Sequence, residues 1–353
     1  MSGMEVTTGE TATTRHRATA RRIFRGALLY TAALTLFWAV VLLLQPARAP
    51  FFANYRIDGQ TLGRLAIGFL IFSVVWGLVW FGLKAALLKS FVGFTKEERR
   101  AAFSSRMQEP YDVAALTARY SERRIRIVDM IGRRGRFITL QLSGLFYLYR
   151  LIAEKRDPNF MNAFQQDNLA DAVILNWVAL ALFHSNGLLA RAFWGAQSRV
   201  MDGELARANC LLITMLWSLF KFVMVPLGAR LSILFSPEQF AAVFVLTWGA
   251  YTAADAASEI FGSLFGRQTI RVSGVGDVNR KSLVGTLAGF ACALSLGVWV
   301  VGAQGLSPSW YGLALVIATS SALVELYSPR GTDDFTIATS NALWCWAFGA
   351  WIL

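Results

Sequence analysis

Charged residues are scarce in this chain. Asp, Glu, Lys and Arg make up 16% of its 353 residues, while 55% of the residues are hydrophobic. Soluble domains carry about 25% charged residues, so the composition excludes an ordinary soluble domain. Several nearly uncharged segments have the length of about 20 residues that a helix needs to cross a bilayer. The sequence therefore predicts an all-α, polytopic integral membrane protein.

Histidine and cysteine are also rare. The two histidines are His16 and His184, and the three cysteines, Cys210, Cys292 and Cys345, are scattered through the chain without paired spacing. Zinc sites and disulfide frameworks need such pairs. The sequence therefore predicts neither of them, and it offers few residues for histidine-based chemistry.

Acidic residues are outnumbered by basic ones. There are 22 Asp and Glu against 34 Lys and Arg, which gives a net charge of +12. In a soluble protein this charge would suggest nucleic acid, but the polar stretches do not interleave aromatic and basic residues as a nucleic-acid groove requires. In a membrane protein the same excess is typical of loops that face anionic headgroups. We therefore expect no nucleic-acid partner.

Nine apolar runs are candidates for membrane spans. They are residues 23–44, 62–83, 137–153, 170–190, 209–235, 239–260, 283–303, 310–327 and 335–353. The run 137–153 is the weakest, because Gln141 and Arg150 interrupt it. Without it, every later basic loop would lie outside the cell, so the distribution of charge supports it.

The charge of the loops predicts the side that each one faces. With the N-terminus in the cytoplasm, the cytoplasmic segments are residues 84–136, 191–208, 262–282 and 328–334. The outside loops, such as 304–309, are short and nearly uncharged, in agreement with the positive-inside rule. We expect a bacterial inner membrane protein whose active site faces the cytoplasm.

This topology divides the chain into four parts. They are a disordered cytoplasmic N-terminus (1–22), a two-span anchor (23–83), a basic cytoplasmic loop (84–136) and a membrane catalytic domain (137–353) with its motifs in 240–345. Ala47-Arg48-Ala49 is similar to a signal-peptidase site, but the polar leader is long and a second span follows, so we expect a retained anchor. The basic loop is interpreted as a positive-inside segment, with regulatory lipid sensing as the alternative.

Two acids lie at the end of the predicted span 239–260. Asp255 and Glu259 are four residues apart, so their carboxylates project from one face of a helix. Acids within a membrane mark functional sites, and paired carboxylates near a phosphate commonly hold Mg²⁺. Gly262 and Gly266 continue a stripe of small residues, and close packing between helices would explain them equally well.

Basic residues follow at the next predicted helix start. Lys281 and Ser282 open that helix, and backbone N–H groups at a helix start attract phosphate. Arg267 and Arg280 lie at the two ends of the intervening polar loop. Arg280 and Lys281 could equally be positive-inside anchors.

Three more acids follow two spans later. Glu325 lies near the end of one apolar run, and Asp333 and Asp334 lie in the short loop before the next. The topology puts this loop on the same side of the membrane as Lys281. The three acids are therefore candidates for the same site, although an acid pair in a short loop is also typical of simple solvation.

These segments together resemble the signature of the membrane polyprenol, dolichol and phytol kinases, a group that includes CTP-dependent diacylglycerol kinases. The stretch from Ala254 to Gly266 resembles its first element, and Lys281-Ser282-Leu-Val-Gly285 resembles its Lys-Ser/Thr-x-x-Gly element. Glu325 and Asp333-Asp334-Phe-Thr-Ile resemble its closing elements. Ala254 stands where that family usually has Gly, and Asp334 where it usually has Asn.

The resemblance implies a kinase that uses CTP and Mg²⁺ to phosphorylate a membrane lipid alcohol of the isoprenoid or diacylglycerol type. The residues expected to be catalytic are Asp255, Glu259 and Lys281. The expected nucleotide-binding residues are Arg267, Arg280, Lys281, Ser282 and Gly285. The expected metal ligands are Asp255, Glu259, Asp333 and Asp334, and Glu325, Gly262 and Gly266 complete the site.

Two other functions stay open. A phosphatidate cytidylyltransferase would use the same triphosphate site and release pyrophosphate, but the Gly-His-Gly-Gly element usual in those enzymes is absent, which favours the kinase. A non-catalytic membrane protein or transporter is the second alternative, although the sequence has no duplicated halves of the kind that many transporters have. The sequence carries no signal for the identity of the lipid or the oligomeric state.

Overall fold

The computed structural model describes most of the chain. The described residues are 8–44, 63, 67, 71, 74–104, 113–153, 172–273, 278–329 and 332–352. Within them the backbone is almost entirely helical, and the sheet they contain is one two-stranded hairpin. This confirms the predicted all-α class.

Helices make up nearly all of the secondary structure. Those before residue 206 are α1 (Thr8–Leu44), α2 (Trp76–Leu87), α3 (Lys96–Ala102), α4 (Val113–Arg119), α5 (Glu122–Ala153), α6 (Ala172–Leu182) and α7 (Leu188–Trp194). The later elements are α8 (Ala206–Leu234), α9 (Pro237–Phe244), α10 (Ala250–Phe265), β1 (Thr269–Ser273), β2 (Val278–Ser282), α11 (Leu283–Ala303), α12 (Ser309–Tyr327) and α13 (Asp333–Trp351).

Short segments of other helical types adjoin several of these helices. A π-helical turn, Leu88–Val92, extends α2, and a 3₁₀ segment, Val200–Leu205, leads into α8. A second π-helical turn, Val245–Gly249, joins α9 to α10 without a break.

Two helices among the described residues are long and apolar enough to cross a membrane. They are α11, with 21 residues, and α12, with 19 residues. Both coincide with predicted spans, 283–303 and 310–327, and they are consistent with an association with membranes. The nine-span topology as a whole stays a prediction, and nine of the 22 residues of the predicted span 62–83 lie outside the described residues.

The N-terminal region differs from the expectation. Residues 8–22, expected to be disordered, belong to α1, which continues to Leu44. The segment contains neither proline nor an internal glycine beyond Gly9, so nothing in its backbone chemistry interrupts a helix. Residues 1–7 lie outside the described part of the chain.

The chain divides into two units. The first comprises Met1–Leu36, Ala66–Arg136 and Leu175–Met215, and the second comprises Phe37–Leu65, Phe137–Ile174 and Leu216–Leu353. In the first unit, the segment predicted as the basic loop 84–136 contains helices with their own apolar core, including Leu88, Phe94 and Ile125. Helix α3 begins with a capping box between Thr95 and Glu98, which satisfies free backbone N–H groups at the helix start.

The second unit packs α10 through α13 around a core of small and apolar side chains. Ala250 and Ala254 of α10 are buried against Ala293 of α11 and Ile317 of α12. Between α10 and α11 the chain forms an antiparallel hairpin in which Ile270 faces Lys281 across the two strands. The hairpin returns the chain to the end of α10 and leads directly into α11.

Candidate functional site

Lys281 is the centre of a buried cluster of charged groups in the second unit. It is the last residue but one of β2, and its side chain is only 8% exposed. Its Nζ donates to the backbone carbonyl of Glu325 and, at 2.8 Å, to Oε1 of the same residue, while Oδ2 of Asp333 lies 3.4 Å away. An ammonium group has three hydrogens. These three acceptors therefore account for all of its donors.

Three chain segments meet at this cluster. Glu325 lies in the last turn of α12, and Asp333 is the first residue of α13. A hydrogen bond between the hydroxyls of Ser328 and Thr336, 2.7 Å apart, ties the end of α12 to the first turn of α13. The hairpin then brings Lys281 to the same end of the helices.

The acids keep Lys281 charged. Burial alone would lower the pKa of Lys281, because it disfavours the charged ammonium. The negative charges of Asp333 and Glu325 outweigh this effect, with a contribution from Asp255, and the pKa of Lys281 is raised above its ordinary value. The lysine therefore supplies a permanent positive charge at neutral pH.

Helix α10 contributes an acid and a phenol to the same region. Asp255 is 4% exposed, and its charge acts on Lys281. One turn earlier, Tyr251 is fully buried, and its hydroxyl donates to Oδ1 of Asp334 at 2.5 Å. The structure thus brings residues from all four predicted motif segments to one place.

Other predicted site residues lie nearby but play different parts in the structure. Glu259 is half-buried one turn after Asp255, and Arg267 is exposed just beyond the end of α10. Ser282 caps α11, since its Oγ accepts a hydrogen bond from the N–H of Gly285 at 3.0 Å. The backbone of Arg280 is part of the hairpin, but its side chain lies outside the described residues.

The glycines of the motifs lie where α10 and α11 approach each other closely. A Cβ atom at Gly262 would lie 2.8 Å from Oγ of Ser282, and one at Gly285 would lie 2.5 Å from the carbonyl oxygen of Ser258. A Cβ atom at Gly266 would lie 2.7 Å from Cβ of Ser282. A Cβ atom at Gly285 or Gly266 would meet backbone, since Gly266 also lies against the carbonyl oxygen of Gly262, and one at Gly262 would displace the capping hydroxyl of Ser282. Close packing at the junction of α10 and α11 is therefore sufficient to explain all three glycines.

The acids have the chemistry that Mg²⁺ prefers, because carboxylate oxygens are hard ligands. Asp255 comes to the region from α10, and Asp333 and Asp334 come from α13. Among the described residues, however, no three Asp, Glu, His or Cys side chains are arranged as a metal site. The Mg²⁺ ligands named from the sequence therefore stay a prediction.

One member of the region was missed by sequence reasoning. The motifs predict no role for Tyr251, although it precedes Asp255 by four residues and therefore shares a helix face with it. A helical spacing of aromatic and acidic residues was the available signal. It is a weak one, because an aromatic residue in an apolar helix usually belongs to the core.

Comparisons of the chain with known proteins found no relative. No protein-family model, no curated protein and no solved structure matches the chain.

Proposed function

We propose that this chain is a CTP-dependent lipid kinase, which transfers the γ-phosphoryl group of CTP to the hydroxyl of an isoprenoid or diacylglycerol-type lipid at the cytoplasmic face of a membrane. The proposal is carried by the buried Lys281 and its two carboxylate partners, Glu325 and Asp333. The resemblance of the motifs to those of membrane lipid kinases suggests the donor and the class of acceptor.

The position of the cluster suits a lipid hydroxyl. Helix α11 begins two residues after Lys281, and α12 ends two residues after Glu325. Both helices expose apolar side chains, such as Leu287 and Leu323. In a membrane these side chains would face the acyl chains, so the cluster would lie at the level of the headgroups, where a lipid alcohol presents its hydroxyl.

The reaction needs charge stabilisation and an acceptor for one proton. The lipid oxygen attacks the γ-phosphorus, the bond between that phosphorus and the β,γ-bridging oxygen breaks, and CDP leaves. We assign Asp255 as the carboxylate that orients the lipid hydroxyl and receives its proton, and Lys281 as the charge that stabilises the phosphates. Phosphoryl transfer is mostly a matter of positioning and charge stabilisation, so no covalent nucleophile is needed.

Lys281 must exchange a partner before it can bind phosphate, because three acceptors already engage it. Asp333 is the partner that we expect to leave, since its contact is longer (3.4 Å against 2.8 Å for Glu325) and its side chain is 21% exposed. The carboxylates of Asp333, Asp334 and Glu259 are the groups that would hold Mg²⁺, because Asp255 is assigned to the lipid hydroxyl. When bound, Mg²⁺ supplies positive charge for the triphosphate.

The test follows the phosphorus atom. Purified protein in lipid, with Mg²⁺, receives CTP labelled at either the α or the γ phosphate, together with phytol, a polyprenol, diacylglycerol or phosphatidic acid. We expect label from the γ position in the lipid product. Label from the α position in phosphatidic acid would identify a cytidylyltransferase instead, and no transfer across the panel would favour a non-catalytic protein.

A further inference from the structure

We infer that Tyr251 is a positioning residue of the proposed site, which holds the carboxylate of Asp334 and thereby fixes the first turn of α13 beside Lys281. The inference rests on the proposed function, because the position of this turn matters most if its acids take part in phosphoryl transfer.

The ring of Tyr251 is held firmly. The residue is fully buried, and its ring makes edge-on contacts with Phe137 and Trp248, with ring centroids 6.1 Å apart in each case. Phe220 and Ile337 belong to the same apolar cluster. Because these neighbours fix the ring, its hydroxyl lies at a defined point in the protein.

Asp334 is hydrogen-bonded to this hydroxyl. Its Oδ1 accepts the hydrogen bond of the Tyr251 hydroxyl at 2.5 Å, and hydrogen bonds to a charged group are about twice as strong as those between neutral groups. Asp334 is half-buried at the start of α13, where a negative charge also interacts favourably with the helix dipole. The bond therefore fixes the carboxylate of Asp334 and the backbone that carries it.

The first turn of α13 is thus held from several sides. Asp333 is bound to Lys281 of β2, and Thr336 is bound to Ser328 beyond the end of α12. Tyr251 adds a tie from α10, the helix that carries Asp255. This hydrogen bond sets the distance between Asp255 and the two acids of α13, and a phosphoryl-transfer site must hold such groups in fixed geometry.

The test removes only the hydroxyl. Tyr251→Phe keeps the ring and its aromatic contacts, and Tyr311→Phe makes the same chemical change at the opposite end of α12, where the side chain is 40% exposed. We measure backbone hydrogen exchange and γ-phosphoryl transfer for both variants. Asp334→Ala removes the acceptor of the same hydrogen bond, and it is the second variant in which we expect the first turn of α13 to be less firmly held.

We expect hydrogen exchange at 332–337 to rise at least about tenfold in Tyr251→Phe, and kcat to fall roughly tenfold to a hundredfold, as the loss of a charged hydrogen bond predicts. The KM for the lipid should stay unchanged, because the binding surface for its chain is intact. Tyr311→Phe should match the wild type in both measurements. The double variant Tyr251→Phe/Asp334→Ala should be no slower than Asp334→Ala, since both changes break one bond.

The outcomes separate this inference from the proposed kinase. Unchanged exchange at 332–337 in Tyr251→Phe would overturn the holding role whether or not the protein transfers phosphate. Faster exchange with wild-type kcat would overturn the importance of Tyr251 for the reaction and leave the kinase intact. If the wild type transfers no label to any lipid, the kinase proposal fails, while faster exchange in Tyr251→Phe still supports the hold on α13.

Discussion

Each unit of the molecule contains a buried lysine in an ion pair, and the two pairs are built differently. In the first unit, Lys84 and Asp129 are 2.8 Å apart, with side chains 0% and 5% exposed. Lys84 also donates to the carbonyl of Ser198, and Asp129 accepts a hydrogen bond from the N–H of Val200 at 2.8 Å. Backbone groups of Ser198 and Val200 thus complete the ion pair at both ends.

Lys281 in the second unit is surrounded by more acids. Glu325 and Asp333 contact it, Asp255 acts on it from further away, and Asp333 reaches the protein surface. A fully buried ion pair that backbone groups complete is typical of a structural element. A lysine with several acids, one of them partly exposed, can take a new anion in place of an old one. We therefore expect a structural role for Lys84 and, under the proposed function, a chemical role for Lys281.

The largest effect that we expect is the loss of transfer in Asp255→Asn. A carboxylate that acts in the transition state contributes on the order of 3–5 kcal/mol to the barrier, or a hundred- to several-thousand-fold in rate. Asn keeps the volume and removes a buried charge, so the variant should express well and stay monodisperse. The measurement is γ-label transfer per folded molecule.

The matched control is Asp202→Asn in the first unit, which should keep wild-type turnover. A tenth of wild-type turnover corresponds to a loss of only ~1.4 kcal/mol. If Asp255→Asn retains more than about this much turnover, Asp255 does not take part in the reaction and the site assignment is wrong.

The second effect concerns stability. Lys84→Met leaves Asp129 as a buried charge without its cation, and breaking such a pair destabilises a protein by about 3–5 kcal/mol. We expect a lower unfolding temperature, with normal transfer per folded molecule. Lys89→Met is the control, because Lys89 is exposed, and it should leave the unfolding temperature nearly unchanged. Equal unfolding temperatures for the two variants would show that the pair in the first unit contributes little to stability.

A smaller effect is expected at the contact between α10 and α11. In Gly285→Ala the new Cβ atom would lie 2.5 Å from the carbonyl oxygen of Ser258, and overpacking of this kind costs about 1–3 kcal/mol. Gly312→Ala is the control, because no atom beyond the adjoining backbone of its own helix lies within 4 Å of its Cβ position. Thermal unfolding should separate the two variants. Normal stability of Gly285→Ala with lost CTP binding would instead favour a direct role of Gly285 in binding the nucleotide.

The smallest effect is the pH dependence contributed by Lys281. Its pKa is raised above the ordinary value of 10.5. Stability from its charge is therefore fully present below that value and is lost only as the pH rises through the higher folded pKa. The difference in unfolding temperature between the wild type and Lys281→Met should stay constant from about pH 7 to about pH 9.5. If the difference in unfolding temperature is already lost when the pH has risen to ~9, the acids do not hold the proton on Lys281.

Local patterns were sufficient to predict much of the helical structure. The start of the helix α11 directly after Ser282 agrees with the prediction, because a capping serine is a strong local signal. Lys281, which was predicted to open this helix together with Ser282, instead belongs to strand β2. Between α10 and α11 the sequence predicts a polar loop, whereas the structure forms a hairpin. Its strands have five residues each, too few for a clear alternation of apolar and polar side chains.

The site was less accessible to prediction than the helices. Charge and topology predicted that Lys281, Glu325 and Asp333 lie on one side of a membrane, but nothing in the sequence indicated that acceptors of the protein itself would engage all the hydrogens of the Lys281 ammonium. That result depends on how α12 and α13 pack, and so does the bond between Tyr251 and Asp334. Contacts between residues so far apart in the chain leave no periodic signal.

The most direct test of the comparison is the same substitution at both buried lysines. In Lys281→Met and Lys84→Met, γ-phosphoryl transfer from CTP to lipid is measured per folded molecule, alongside the unfolding temperature. We expect Lys281→Met to lose about a hundredfold in transfer or more, and Lys84→Met to lose stability with transfer unchanged. If Lys281→Met transfers phosphate at the wild-type rate per folded molecule, as Lys84→Met is expected to do, then Lys281 is a structural residue like Lys84 and the proposed site is wrong.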